Sequence, residues 1–465
     1  MAASGPRVLA WADRLDDAMA RRRGQEPAWE RAADAGVVAH AWAAVRFGTM
    51  IVAAPLAIPA LGFTVARQTR KANRLAEAYA EVIARVAEGE PSGHGWDAVH
   101  HIDAGERWFI ASDLHRYVRG TFDWPGGQDT KRLYEAVLAY YADHEYGLIE
   151  AGDVEDFWMV GGSTYGAAYD VLRTLAAPRR DGAADARRAR IYAAHLERIV
   201  RNNQGIYDTI NERFHQVGRY RRLIGNHDDV YRNDGVLDAL RKVHPGIDVH
   251  DFLVLDGPAG ALGVVTHGHH TDAWNAPGID AVGKVGTWAA SVIADLPRIG
   301  RELGVPSAAT TASMLDGLHR SALTTVSSTF GANLELYSVD EVRLFDAFAA
   351  RWGADGGPHI ILGHTHLPLV SPVTPDGSRT WSRYLNAGSG VGHGMVTGVE
   401  WELDADGAPQ PRLVAWHWAD HHADTPSDAK VVDLDGRVIA RRVACRAHPS
   451  QTLTLQSHPH LSGAR

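Results

Sequence analysis

Five polar blocks, each set directly after a short apolar run, constrain this chain more than any other feature. Asp113 and His115 follow Trp108–Ala111, Asp153 and Asp156 follow Gly147–Ala151, and Asn226, His227 and Asp228 follow Arg222–Ile224. His267 follows Leu262–Thr266, and His364 and His366 follow His359–Leu362. Short buried strands that end in functional loops are the pattern of an α/β sandwich, where ligands gather at the strand ends.

The residue types in these blocks suit metal ions. Two first-row cations about 3.5–4 Å apart need a shared bridging ligand to offset their repulsion. Asp153, placed after Gly152 with two carboxylate oxygens, is the natural bridge. Asp113 and His115 are two apart, so on a strand end both would point one way and clasp one ion. His364 and His366 repeat that spacing, and Gly363 allows close backbone approach. Asn226 adds a neutral oxygen and His267 another nitrogen. Mixed nitrogen and oxygen donors without thiolate predict two divalent ions of the manganese, iron or zinc kind.

The chemistry predicted from such a set is hydrolysis of a phosphate ester. A hydroxide bridging the two cations is a strong nucleophile near neutral pH, and the same charges offset those on the phosphoryl oxygens. His227 supplies an imidazole to protonate the leaving group. Glu155 and Asp156 are read as orienting neighbours, and His269 and His270 as lining the cleft or facing solvent. Arg116 and His269 are candidate substrate contacts, with a plain surface arginine the alternative at 116.

Net charge is −9, so there is no basic surplus for a strong grip on nucleic-acid phosphates. The partner expected is a small phosphorylated substrate. A lone cysteine, Cys445, excludes a disulfide framework and a thiolate metal site, and suits a reducing, cytoplasmic compartment. Residues 47–66 are uncharged for about a bilayer's span and are followed by Arg67, Arg70, Lys71 and Arg74. Pro55 and Pro59 weigh against a spanning helix, so this stretch packs on the protein or associates with a membrane.

Three parts are expected along the chain. Residues 1–100 form an N-terminal helical extension, in which Leu75, Tyr79, Val82, Ile83 and Val86 make one apolar stripe. Residues 101–422 form the main domain, with helical insertions at about 157–220 and 271–338 that act as a cap or as a plain helical layer. Helices are also read near Thr130–Asp143 and Asp340–Trp352, the latter capped by Ser338. Arg383–Ser389, Gly398–Asp406 and Pro411–Asp420 read as strands of a second sheet. Residues 423–465 read as a peripheral His-, Pro- and Ser-rich tail.

Taken in order, the blocks run D-x-H, G-D-x-x-D, G-N-H-D, H and G-H-x-H, and over roughly residues 105–420 they resemble the calcineurin-like metallophosphoesterase superfamily. That resemblance implies a four-layer α-β-β-α sandwich of two mixed sheets flanked by helices. It implies one metal on Asp113, His115, Asp153 and His366, and a second on Asp153, Asn226, His267 and His364. It further implies His227 near the leaving group, oriented by Asp228, and a mainly structural Asn386. Phe157 and Trp158 stand where the family's protein Ser/Thr phosphatases carry arginine, so that branch is disfavoured. The second block looks more like that of bacterial UDP-diacylglucosamine hydrolases, which cleave a pyrophosphate on a nucleotide-linked lipid, although His269 departs from the aspartate often found there. The alternatives to a metallophosphoesterase are a non-catalytic scaffold on the same fold, or a nuclease.

Overall fold

Trp108, Phe109, Ile110 and Ala111 alternate between two apolar cores, one on each face of a strand buried on both sides. That is why an unbroken apolar run forms a strand here. The computed structural model describes residues 72–92, 98–116, 127–158, 182–271, 344–353, 356–366, 368–370, 383–390, 395–418, 429–434 and 437–443.

The described strands are β1 (Val99–Asp103), β2 (Trp108–Ala111), β3 (Gly147–Ala151), β4 (Tyr220–Leu223), β5 (Phe252–Gly257), β6 (Gly260–Val265), β7 (His359–Leu362), β8 (Pro368–Val370), β9 (Tyr384–Ala387), β10 (Met395–Trp401), β11 (Arg412–Trp418), β12 (Ala429–Leu434) and β13 (Arg437–Val443). The helices are α1 (Ala72–Ala87), α2 (Gly127–Asp143), α3 (Gly182–Asn202), α4 (Gln204–Ile210), α5 (Asp234–Val243) and α6 (344–352). Two mixed sheets result. The seven-stranded one runs β12-β13-β11-β10-β2-β3-β4, with β2, β3 and β4 parallel. The six-stranded one runs β1-β5-β6-β7-β9-β8, with β6, β7 and β9 parallel.

Trp108, Ile110, Ile149 and Leu223 of the first sheet meet Leu253, Val265, Ile361 and Leu385 of the second in one core. Phe109 and Leu148 face a different core, with Leu133, Val137, Leu196, Ile210 and Leu240 from α2 to α5. Val254, Val264 and Ile360 face a third, with Tyr79 and Ile83 of α1 and Phe345 and Phe348 of α6. The helices obey local rules: Asn233 caps α5 by accepting from Gly235 N at 3.0 Å, and Arg241 and Lys242 sit in its last turn.

Several sequence expectations need correction. The three strands assigned to a second sheet divide between the two, β9 joining β7 while β10 and β11 extend the sheet of β2. The tail boundary at 423 cuts off two strands, because β12 and β13 pair with each other and β13 pairs with β11. Residues 429–443 hold Val431, Val432, Val438 and Ile439, and the edge of β11 offers unpaired backbone groups that such a segment can satisfy. The insertion read at about 157–220 is helical over much of its described part, as α3, α4 and a π-helical turn at Asn211–His215, with Ile191, Leu196, Ile199, Ile206, Ile210 and Phe214 buried. α1 packs within the third core, so the boundary at 100 does not set it apart.

The apolar stretch 47–66, the insertion 272–338, the cap Ser338 and residues 444–465 lie outside the described residues. No helix among the described residues is long and apolar enough to cross a membrane.

Candidate metal centre

The five blocks converge. β2, β3 and β4 are neighbours in one sheet, β6 and β7 in the other, and all five end toward the same place. Three donor groups form there, in each of which the ligand atoms lie within 4.8 Å of one another: Asp113, His115 and His366; Asp153, His267 and His364; and His115, Asp156 and His227.

Asp153 stands between the first two groups. Its Oδ2 is 3.3 Å from His267 Nε2 and 3.8 Å from His115 Nε2. His366 Nε2 is 3.1 Å from Asp113 Oδ1 and 3.2 Å from His115 Nε2. Asn226 Oδ1 is 3.2 Å from His267 Nε2. All seven predicted ligands therefore lie in one cluster.

Backbone strain places them there, not strand alternation. Six described non-glycine residues have left-handed backbone, and five are Asp113, His115, Asp153, His364 and His366, with φ of 54°, 44°, 50°, 69° and 60°. Each such residue stores of order 1–3 kcal/mol. The expectation that each i, i+2 pair points one way fails for His364 and His366, which enter different groups. Gly225 and Gly363 permit the crowding: a Cβ on Gly225 would sit 2.1 Å from Asp153 Oδ1, and one on Gly363 1.9 Å from Ser112 Oγ.

Lone pairs meet across this cluster. His267 Nδ1 lies 3.0 Å from the Ala151 carbonyl, which makes that nitrogen a donor and turns Nε2 toward the oxygens of Asn226 and Asp153. His115 Nδ1 likewise faces Asp156 Oδ2 at 3.1 Å and leaves Nε2 toward His366. Asp113 Oδ1 is buried, and His366 Nε2, 3.1 Å away, does not approach in hydrogen-bond geometry. A proton or a cation must sit among such acceptors, so the donor set fits divalent metal.

The electrostatics follow from that crowding. Burial by itself would raise Asp113, but the His366 and His267 imidazoles outweigh it and hold the carboxyl at about 2. Burial opposes ionisation of Asp153 too, and His267, His227 and His115 together bring it well below the usual range. Burial would lower His267, whereas Asp153 and Asp113 lift it to about 9, so a bound cation would displace a proton there.

His227 lies at the cluster and faces Asp156 rather than Asp228. Its Nδ1 lies 3.0 Å from Asp156 Oδ1, and its backbone N–H donates to Asp153 Oδ1 at 2.8 Å. Asp228 instead accepts the N–H groups of Val154 at 2.9 Å and Gly225 at 2.6 Å. Burial would lower His227, and the Asp156 and Asp153 carboxylates overcome this to raise it to about 9.

Arg116 is turned into the protein rather than lying at the surface. It is 4 % exposed, and its guanidinium pairs with buried Glu150 and sits over Tyr207 and Tyr134. His269 and His270 are buried rather than solvent-facing, with the His269 ring centroid 5.3 Å from that of His267. Burial, with His270 and His267 adding like charge, keeps His269 well below its ordinary value. Asn386 braces the last block by donating to Gly363 O at 2.7 Å and Thr365 Oγ1 at 3.0 Å.

Two contributors were not singled out from the sequence. Trp158 stacks on His227, and Arg222 pairs with Glu155 beneath the cluster. For the second there was a signal: charged residues, Glu150 and Arg222, inside runs that read as buried strands. No family model matches this chain, and no curated protein matches it significantly.

Proposed function

We propose that this protein is a dinuclear metal-dependent hydrolase of phosphate esters, acting on a phosphomonoester, a phosphodiester or a pyrophosphate bond. The carrying observation is the position of Asp153 between two groups of nitrogen and oxygen donors. Asp113, His115, Asp153 and His366 would hold one ion, and Asp153, Asn226, His267 and His364 the other. Manganese, iron or zinc suits this donor set better than calcium. When bound, the cations supply positive charge to a phosphoryl group and acidify water.

The chain's own residues do the rest. Asp156 holds the His227 ring through Nδ1, which leaves Nε2 to carry a proton to the departing oxygen. The Asp156 and Asp153 carboxylates oppose the effect of burial and raise that ring above its ordinary value, which favours its proton-donor form. Asp228 ties the loop of Asp153 to the loop of Asn226 and His227 through two backbone N–H groups.

The same reading treats the architecture as the four-layer sandwich of calcineurin-like phosphoesterases. Three apolar cores, one between the sheets and one on each outer side, support it. A cytoplasmic setting belongs to the proposal on the strength of the single cysteine.

Turnover of an activated aryl phosphate and of its diester, assayed across manganese, iron and zinc, tests the proposal. Metal-dependent hydrolysis that Asp153→Asn abolishes is the expected result. Protein that binds these ions yet hydrolyses neither compound would leave a scaffold in its place.

A further inference from the structure

Beneath the donor cluster lies a second layer of charge that touches none of the proposed leaving-group chemistry. Arg222, Glu155 and Glu150 are wholly buried, and Arg116 nearly so. Arg222 Nη1 donates to Glu155 Oε1 at 3.1 Å, and its Nη2 pairs with Glu155 Oε2. Tyr231 donates its hydroxyl to Glu155 Oε2 at 2.9 Å, and Tyr207 donates to Oε1. Glu155 thereby accepts four hydrogen bonds, the full capacity of a carboxylate. Arg116 and Glu150 form a parallel pair, with Tyr134 and Tyr220 donating to Glu150 at 2.9 and 2.6 Å.

We infer that the Arg222–Glu155 pair, with Tyr207 and Tyr231, is a positioning device that sets the spacing of the metal ligands above it. The inference rests on the metal-centre reading and deepens it by naming residues that act through the ligands rather than as ligands.

Three observations carry it. First, three of the four members lie close to a site residue in the chain: Glu155 falls between Asp153 and Asp156, Arg222 precedes Asn226 by four, and Tyr231 follows Asp228 by three. Second, the network sits directly against the loops. Arg222 Nη2 lies 3.6 Å from the Asp228 carboxylate that ties the two loops, and the backbone of neighbouring Arg116 braces the second block, its N–H donating to Val154 O at 2.7 Å and its carbonyl accepting from Asp156 N at 2.8 Å. Third, stability alone does not account for it. A buried ion pair seldom outdoes apolar side chains of equal volume, because desolvation offsets the attraction. What a planar guanidinium and a saturated carboxylate add is angular definition, which strained left-handed ligands require.

The test uses full-length protein freed of metal, titrated calorimetrically with manganese, beside its melting temperature and its kcat and KM on an aryl phosphate. Arg222→Met and Glu155→Leu alone each leave a buried charge unpaired and should melt early. The Arg222→Met/Glu155→Leu double variant should recover most of the melting temperature yet bind manganese about 10- to 100-fold more weakly, the effect usual for partners of metal ligands. Its kcat should fall more than its KM rises. A double variant with wild-type affinity and kcat overturns the inference and leaves the pair a packing feature. Should that variant not fold, Tyr231→Phe decides: several-fold weaker binding at nearly unchanged melting temperature supports positioning, and unchanged binding overturns it. Wild-type protein that binds no manganese, iron or zinc overturns the metal-centre reading first, before any variant is compared.

Discussion

The indole of Trp158 lies flat on the imidazole of His227, with ring centroids 4.2 Å apart and planes 26° from parallel. The Trp158 backbone N–H also donates to Asp156 Oδ1 at 2.9 Å, the oxygen that His227 Nδ1 approaches at 3.0 Å. One short segment thus fixes both the face and one nitrogen of the ring.

That arrangement separates two substitutions. His227→Ala should lower kcat by about 10²–10⁴ with metal affinity retained, since only a proton donor is lost. Asp156→Asn should lower both, because Asp156 also faces His115 Nδ1 at 3.1 Å. Steady-state kinetics paired with metal analysis of each variant checks the split; equal metal loss in both would contradict it.

Manganese should raise the melting temperature of the wild-type protein by several degrees, as saturation at about 100 times Kd adds about 2.7 kcal/mol. Asp153→Asn should abolish that rise, because one oxygen of Asp153 lies beside nitrogens of both donor groups. Thermal melts with and without metal read the difference directly.

Gly225→Ala places a methyl 2.1 Å from Asp153 Oδ1 and 2.3 Å from Asp153 N. Backbone cannot yield there as a flexible side chain would. A stability loss of about 1–3 kcal/mol is expected, with manganese affinity reduced by at least tenfold. Urea denaturation and calorimetry are the measurements.

Glu145 is the one described left-handed non-glycine residue away from the cluster, at φ 61° just past the end of α2. Its exposed side chain lies 3.8 Å from Arg107, a contact of little worth. Glycine is the usual residue at such a helix end, so Glu145→Gly should stabilise the fold by about 1 kcal/mol without changing metal binding. A lower urea midpoint would refute this.

Buried neutral histidines should make the fold acid-sensitive well above the carboxylate range. Burial, with Arg222 and His215 adding like charge, depresses His244 to about 2, and burial with Arg198 brings His195 to about 4. Because the folded values lie below the unfolded one, their contribution is complete above pH 6.5. It is lost as pH falls from there toward 4 and below, where the unfolded chain takes up protons that the native state refuses. Each such histidine steepens the fall by up to about 1.4 kcal/mol per pH unit. His244→Gln, which can still meet Asn211 Oδ1 (now 2.7 Å from His244 Nδ1), should flatten the profile of urea stability between pH 6.5 and 5.

Local order made much of this molecule legible. The runs Trp108–Ala111 and 360–362 are strands because every residue in them meets apolar atoms on one face or the other, and the stripe of α1 is buried because its spacing matches a helix turn. The donors were legible for the same reason: Asp113, Asp153, Asn226, His267 and His364 each sit one to three residues past such a strand.

What the sequence by itself determined was therefore which residue types lie at which strand ends. Tertiary structure alone decided who meets whom. Asp156 rather than Asp228 faces His227, Arg116 turns inward to Glu150, and β12 and β13 complete a sheet that begins some 300 residues earlier. Spacing along a chain sets direction only while the backbone keeps a regular period, and the left-handed turns at Asp113, His115, Asp153, His364 and His366 break that period. Where a buried charge finds its counter-charge depends on which strands become neighbours, and that relation is written in no local stretch of the chain.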